Sequence, residues 1–243
     1  MIIEACVNSA ISAIEAQKGG ADRVELCENL HDGGTTPSAG SIQFARRNLQ
    51  IGLFVMIRPR GGDFLYSDGE FEIMQEDVRM AKNLGADGVV FGILHRDGTI
   101  DKERMTELVN LARPMGITCH RAFDMTADPF QALEDLISLG VDRILTSGQQ
   151  PTAPQGARLI RELIARADGL ITIMPGCGVK EHNIAELISS TGAKEVHIHP
   201  ERQQPSGMTF HQHSVFMGKP DRSEYEFIIA DAERIKQTRV LVE

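Results

Sequence analysis

The chain has 243 residues, 42% hydrophobic and 24% charged, which is ordinary for a water-soluble globular fold and enough to bury one large core. A formal charge of −9 disfavours binding to nucleic acid or to an acidic membrane, since both need a cationic surface. No run reaches the roughly 18 apolar residues of a membrane span, the start of the chain does not read as an export signal, and the four dispersed cysteines never form CxxC, so a reducing cytoplasm is the expected setting.

The elements alternate in chain order. A strand over 2–7 leads to a helix carrying Ile11 and Ile14 that stops at Gly19-Gly20, with Asn8 or Ser9 as its cap. A strand over 23–27 precedes a polar loop and a helix expected to begin at Thr36-Pro37, cap and first-turn proline. A third strand over 53–58 runs into the glycine-rich Pro59-Arg60-Gly61-Gly62-Asp63-Phe64, and Phe71, Met74, Val78 and Ala81 mark the next helical face. Strands over 88–93, 117–120, 143–146, 170–174 and 195–199 follow, with helices opened by Asp101 and Asp128-Pro129 and others over 155–167 and 181–190. The polar stretch from Pro200 to Arg222 is read as a mobile lid, and a last helix over 224–237 carries Phe227, Ile228 and Ile235.

A repeated phrase punctuates this order. Gly-Ala-Asp or Gly-Val-Asp followed by an apolar run occurs at Asp22, Asp87 and Asp142, with a looser copy at Lys194, at intervals of 65, 55 and 52 residues. Each interval fits two βα units, and four doublets make eight. The expected fold is therefore α/β, a single-domain (β/α)8 TIM barrel over 1–243 with a long loop after strand eight. An open, doubly wound sheet would call for a GxGxxG turn after strand one, where Cys6-Val7-Asn8-Ser9 stands instead. Because each phrase precedes a strand, Asp22 and Arg23 fall at the stability face of the barrel and the chemistry at the other end.

Strand alternation then sorts side chains. Glu4, Cys6, Glu25, Cys27, Met56, Arg58, Thr118, His120, Thr172, Met174, Glu195, His197 and His199 are expected inside, while strands four and six show no clear parity. Buried charge needs a reason. Either it is a self-satisfied ion network, or it is a site in which Glu4, Glu25, Arg58, His120, Arg121 and Asp124 do catalytic work on a small anion. For Asp124, simple pairing with Arg121 is the plain alternative. Backbone amides at Ser147, Gly148, Gly176 and Gly178 lie late in the barrel, where phosphate often binds. His197 and His199 share one strand face and, with Cys27 or Glu25, could hold a metal.

The segments Glu4-Ala5-Cys6, Arg23-Val24-Glu25-Leu26-Cys27, Met56-Ile57-Arg58-Pro59-Arg60, His120-Arg121-Ala122-Phe123-Asp124, Leu145-Thr146-Ser147-Gly148, Met208 and Met217-Gly218 together resemble the CutC family of copper homeostasis proteins, along the whole chain. The resemblance implies a cytoplasmic (β/α)8 barrel, commonly a homo-oligomer and here expected as a homodimer, with a role in copper handling. Copper(I) prefers thiolates and thioethers. The soft donors available are Cys6 with Cys27 on adjacent strands, Cys177, and the loop set Met208, His211, His213 and Met217. The plain alternatives are that Cys6 and Cys27 fill the barrel, that Cys119 packs toward a helix, and that the loop methionines seat the lid. Two readings stand: a copper-binding protein of copper homeostasis, or an enzyme acting on a small anionic or phosphorylated metabolite, with a divalent metal at Glu25, His197 and His199 or with none.

Overall fold

A computed structural model describes residues 1–212, 214–215, 217 and 223–242. Eight parallel strands, β1 (Ile2–Val7), β2 (Arg23–Leu26), β3 (Gly52–Met56), β4 (Gly88–Phe91), β5 (Gly116–Cys119), β6 (Arg143–Thr146), β7 (Thr172–Pro175) and β8 (Glu195–Ile198), alternate with helices α1 (Ala10–Lys18), α2 (Ala39–Asn48), α3 (Asp68–Asn83), α4 (Lys102–Ala112), α5 (Pro129–Ser138), α6 (Ala157–Ala167) and α7 (Ile184–Thr191). The sheet runs β7-β6-β5-β4-β3-β2-β1-β8, so β8 pairs with β1 and the barrel is nearly closed. At the seam between β7 and β8, Gly176 lies so near its neighbours that a Cβ there would come within 2.4 Å of Leu145 and 3.1 Å of His197. Packing closes what hydrogen bonds leave open.

The repeated aspartate is a strand clamp. Asp22, Asp87 and Asp142 accept through their carboxylates from the amides of Ile3, Leu53 and Ile117 at 2.7, 2.8 and 2.7 Å. Their own amides donate to the carbonyls of those same three residues. Each carboxylate also meets an arginine: Arg239, Arg46 and Arg113 respectively. Two charge-assisted bonds at every second strand start fix the register at the bottom of the barrel, which places the opposite parity at the top. Lys194, the looser copy, offers only its carbonyl, to the amide of Ile2.

Two apolar layers result. Ile3, Val24, Val55, Val89, Ile117, Ile144, Ile173 and Val196 face the helices and are at most 4% exposed. Cys119 belongs to this outer layer. Inside, Cys6, Cys27, Phe54, Met56 and Val90 form a separate small cluster. Val90 and Arg143 give strands four and six the parity that the sequence withheld. Strand four is apolar on both faces, and the inward residues at its start and at the start of strand five, Gly88 and Gly116, have no side chain because the Phe54 ring occupies that space; a Cβ would fall 2.4 and 2.8 Å from it.

Beneath the cluster lies a buried ion network. Arg23 reaches Glu4 at 2.5 Å and Glu195 at 2.7 Å, and Arg143 reaches Glu195 at 2.6 Å. The Phe54 ring sits against both guanidinium groups, 4.9 and 5.5 Å from its centroid. Two acids and two arginines balance, which is how charge survives in the barrel interior.

Some local expectations give way. Helix α2 starts at Ala39 with Ser38 as its cap, so Thr36-Pro37 belongs to the preceding loop. The stretch after strand eight is not a structureless lid: β9 (Glu201–Pro205) pairs antiparallel with β10 (Glu226–Ala230). Phe227 and Ile228 therefore lie in a strand, and α8 (Ala232–Val242) begins only after Asp231, whose carboxylate caps it. The β-branched and aromatic run Phe227-Ile228-Ile229 favours an extended chain over the helical period read from it. The hairpin is tied to the barrel by Asn8, which donates to the carbonyl of Ile228, and by Ser12, which accepts from the amide of Ala230. Among the described residues no helix is long and apolar enough to cross a membrane.

Candidate metal and anion cavity

The carboxyl ends of the strands enclose a cavity of about 410 Å3. Its floor is Cys6, Glu25, Met56 and His197; its walls include Arg58, Phe64, His120, Leu145 and Cys177; its rim carries Arg121, Lys180 and His199. Register explains the floor. Glu4 and Ala5 of β1 pair with His197 and Ile198 of β8, and Cys6 pairs with Glu25 of β2, so three strands bring acids, thiols and an imidazole together.

At and just beneath that floor the donor atoms of Cys6, Glu25 and Cys27 lie within 4.8 Å of one another, as do those of Glu4, Glu25 and His197. All five residues are at most 8% exposed. His197 is oriented by Glu4, whose Oε1 lies 2.8 Å from Nδ1, which leaves Nε2 on the side of Glu25, 3.9 Å away. A carboxylate behind an imidazole is the usual support of a metal-binding histidine.

Electrostatics tie these groups into one unit. Burial alone would raise the Glu4 carboxyl, yet the hydrogen bond from His197 and the charge of Arg23 outweigh it and bring it down to about 2. For Glu25, burial and the charge of Cys6 push the carboxyl well above its ordinary value. The Cys27 thiol donates to Glu25 Oε2 at 3.4 Å, and its interaction with the adjacent Cys6 holds the Cys6 thiol well below its usual value against burial and raises Cys27. Burial disfavours a charged His197, but Glu25, Cys6 and Glu4 around it lift its value well above normal. His120 goes the other way, lowered to about 3 by burial and by the cation of Arg58.

Of the six candidate catalytic residues, Glu25, Arg58, His120 and Arg121 line the cavity, whereas Glu4 sits beneath it and Asp124 does not reach it. Asp124 is spent on structure. It pairs with Arg121 at 2.8 Å and accepts from the Thr146 hydroxyl, the Ser147 amide and hydroxyl, and the Gln149 amide. That corrects the anion-binding assignment of Ser147 and Gly148: the Ser147 amide is taken by Asp124, and the Gly148 amide donates to Thr146 Oγ1 at 2.9 Å. The loop after β6 carries its own anion. Gly176 donates to the carbonyl of Thr146, so of the four proposed amides only that of Gly178 has no acceptor among the described residues, and Gly178 lines the cavity.

Of the proposed metal set, Cys27 and His197 meet around Glu25, but His199 stands at the rim, 43% exposed in its side chain and 3.4 Å from Glu201. Cys6 instead joins Glu25 and Cys27. Of the loop donors, Met208, His211 and Met217 lie outside the cavity lining, and His213 and Gly218 fall outside the described residues. Phe64 figures in the sequence only as the end of the glycine-rich loop after strand three, and Lys180 follows the glycine-bearing loop after strand seven; a loop of that kind at a strand end is the signal that points to both.

The comparisons agree along the chain's length. A model described as CutC family matches residues 1–201. The human protein named copper homeostasis protein cutC homolog is 49% identical over 236 residues, spanning 97% of this chain and 86% of that one. A family protein CutC from Parabacteroides distasonis is 52% identical over 237 residues, spanning 97% and 98%. Among solved structures, CutC from Streptococcus agalactiae superposes with a TM-score of 0.78 at 36% identity, covering 81% of this chain and 97% of that chain. Thiamine phosphate pyrophosphorylase from Pyrococcus furiosus, at 14% identity, a TM-score of 0.61 and coverage of 99% and 95%, shares the fold alone.

Proposed function

The chain belongs to the CutC family, and from that premise we propose that it acts in copper homeostasis in the cytoplasm by binding Cu(I) at the floor of its barrel cavity. The observation that carries this reading is that two buried donor groups share Glu25, one with Cys6 and Cys27 and the other with Glu4 and the His197 that Glu4 supports, on β1 and β8 and at the end of β2. Cys6 and Cys27 supply soft donors and His197 Nε2 a borderline one, a set that suits Cu(I) better than a hard divalent ion. The four cysteines are free thiols, the form that a reducing compartment preserves and that a metal requires.

Binding would displace protons. Cys27 and His197 both hold theirs tightly in the metal-free cluster, so Cu(I) must compete with them and its affinity should rise with pH. The cluster belongs entirely to one chain, so the homodimer implied by the family would not alter the donor set.

Anaerobic titration against a competing Cu(I) chelator tests this. One equivalent per chain is expected, with Cys27→Ser and Cys6→Ser each weakening the affinity by about a hundredfold, the larger end of what one lost ligand or its support does. Met208→Leu should leave it unchanged. Uptake that survives both serine variants would overturn the assignment.

A further inference from the structure

The cavity has more to satisfy than a metal ion can. Among the described residues four buried side-chain atoms have no hydrogen-bond partner: Glu25 Oε1, Arg58 Nε, His120 Nε2 and the Tyr66 hydroxyl. Three of the four belong to residues that line this one cavity. A buried polar atom left unbonded forfeits its hydration without recompense, so such a concentration marks a place where a ligand completes the bonding.

The chemistry of that ligand follows from the atoms. Arg58 Nε carries a hydrogen and can only donate. His120 Nδ1 accepts from the amide of Ala122 at 3.2 Å, which assigns the imidazole proton to Nε2 and makes that atom a donor too. Neither donor can turn away. The remaining Arg58 nitrogens bond the carbonyls of Asp32, Gly34 and Gly62 at 2.7, 2.8 and 2.7 Å. The His120 ring lies 4.9 Å from that of Phe64, and on its other side Gly92 leaves so little room that a Cβ there would be 3.0 Å from Nδ1. A copper ion on the floor would satisfy thiols and imidazole but would offer nothing to two N–H groups. The neighbouring Tyr66 hydroxyl can offer an oxygen to Arg58, whereas His120 Nε2 has none among the described residues.

The geometry points to a binding site for a small organic oxyanion, a carboxylate or a phosphate ester, on the cavity wall formed by Arg58, His120 and Arg121. Lys180 and the unbonded amide of Gly178 at the rim add to the positive, donor-rich character of this side. The cavity volume of about 410 Å3 lies within the range of metabolite pockets, roughly 300–1,000 Å3, and far exceeds what one ion fills. Burial and the neighbouring Arg58 keep His120 uncharged across the physiological range, so it serves as a fixed neutral donor. This site shares the chamber with the proposed Cu(I) cluster but uses different residues, and either can fail without the other.

The test is titration of the copper-free full chain with sodium pyruvate and, separately, sodium phosphate, against sodium chloride at equal ionic strength. It is read by calorimetry and by the 15N shift of His120 Nε2. Saturable millimolar or tighter binding of either probe, with a shifted His120 signal, is expected. Pyruvate alone would assign a carboxylate, phosphate alone a phosphoryl group. His120→Asn keeps an acceptor for the Ala122 amide but is too short to place a donor where Nε2 stood, and should weaken binding by about tenfold while leaving Cu(I) affinity intact. Arg121→Gln, at the rim, should weaken it by about threefold and guards against a folding defect in the first variant. Neither probe binding above the chloride control, or equal binding in the wild type and both variants, would overturn the site.

Discussion

Replacing Arg23 by methionine is expected to lower the free energy of unfolding by about 3–5 kcal/mol, the usual loss when one partner of a buried ion pair is removed. Arg23 bridges Glu4 and Glu195 across the barrel, and its side chain is 8% exposed. Without it, Glu4 keeps only His197 and Glu195 only Arg143, and neither carboxylate has water to turn to. Methionine fills the volume, so the loss reports on charge and not on a cavity. The double variant Arg23→Met with Glu4→Gln should recover part of it, because the orphaned charge goes with its partner. Urea denaturation followed by circular dichroism gives both values; a loss below about 1 kcal/mol would mean that the network is weakly coupled to stability.

Acid should unfold the protein largely through His120. Its folded value is lowered from 6.5 to about 3, so below pH 6.5 the unfolded chain takes up a proton that the folded chain refuses. The unfolded state then binds more protons, and stability falls as pH drops from 6.5 toward 3. The loss should reach about 3 kcal/mol by pH 4 from this one group, discounting residual solvation. Glu4 adds to it at lower pH: with its value brought from 4.5 to about 2, its contribution is present above 4.5 and is lost as pH falls toward 2. His197 acts in the opposite sense. Its raised value gives stability that is complete below 6.5 and is lost as pH rises through the folded value. Denaturation curves of His120→Asn between pH 6.5 and 4 should be markedly flatter than those of the wild type; parallel curves would contradict the assignment.

The barrel was legible because its signals are periodic. Strand alternation needs only the parity of apolar residues, and it placed Glu4, Glu25, His120 and His197 inside correctly because Ile3, Ala5, Val24, Leu26, Val196 and Ile198 had to meet the helices. The aspartate phrase was legible as repetition, and its meaning as a clamp on the neighbouring strand emerged only with the register. Strand six resisted because its inward Arg143 looked like part of the phrase at the bottom, when it is a rung of the ion network within.

The site was half legible, and the failures have one cause. Whether a polar group is free or spent depends on partners far away in the chain. Asp124, Ser147 and Gly148 look like parts of a catalytic and anion-binding site, yet Asp124 and Ser147 satisfy each other across more than twenty residues and the Gly148 amide is taken by Thr146 Oγ1. His199 shares a face with His197, but the strand ends between them and leaves it at the rim. Cys6 and Cys27 are distant in sequence and never form a CxxC, yet adjacent strands make them neighbours. The hairpin after strand eight hid behind a helix-like spacing of Phe227, Ile228 and Ile235 that the turn at Asp231 interrupts.

The central claim, that the barrel floor is a thiol and imidazole site for Cu(I), is tested most directly by copper K-edge X-ray absorption of the anaerobically loaded full chain. The account predicts a Cu(I) edge with two sulfur donors and one nitrogen donor from Cys6, Cys27 and His197, and loss of one sulfur in Cys27→Ser. A shell of oxygen and nitrogen alone, or a sulfur signal unchanged in that variant, would contradict it.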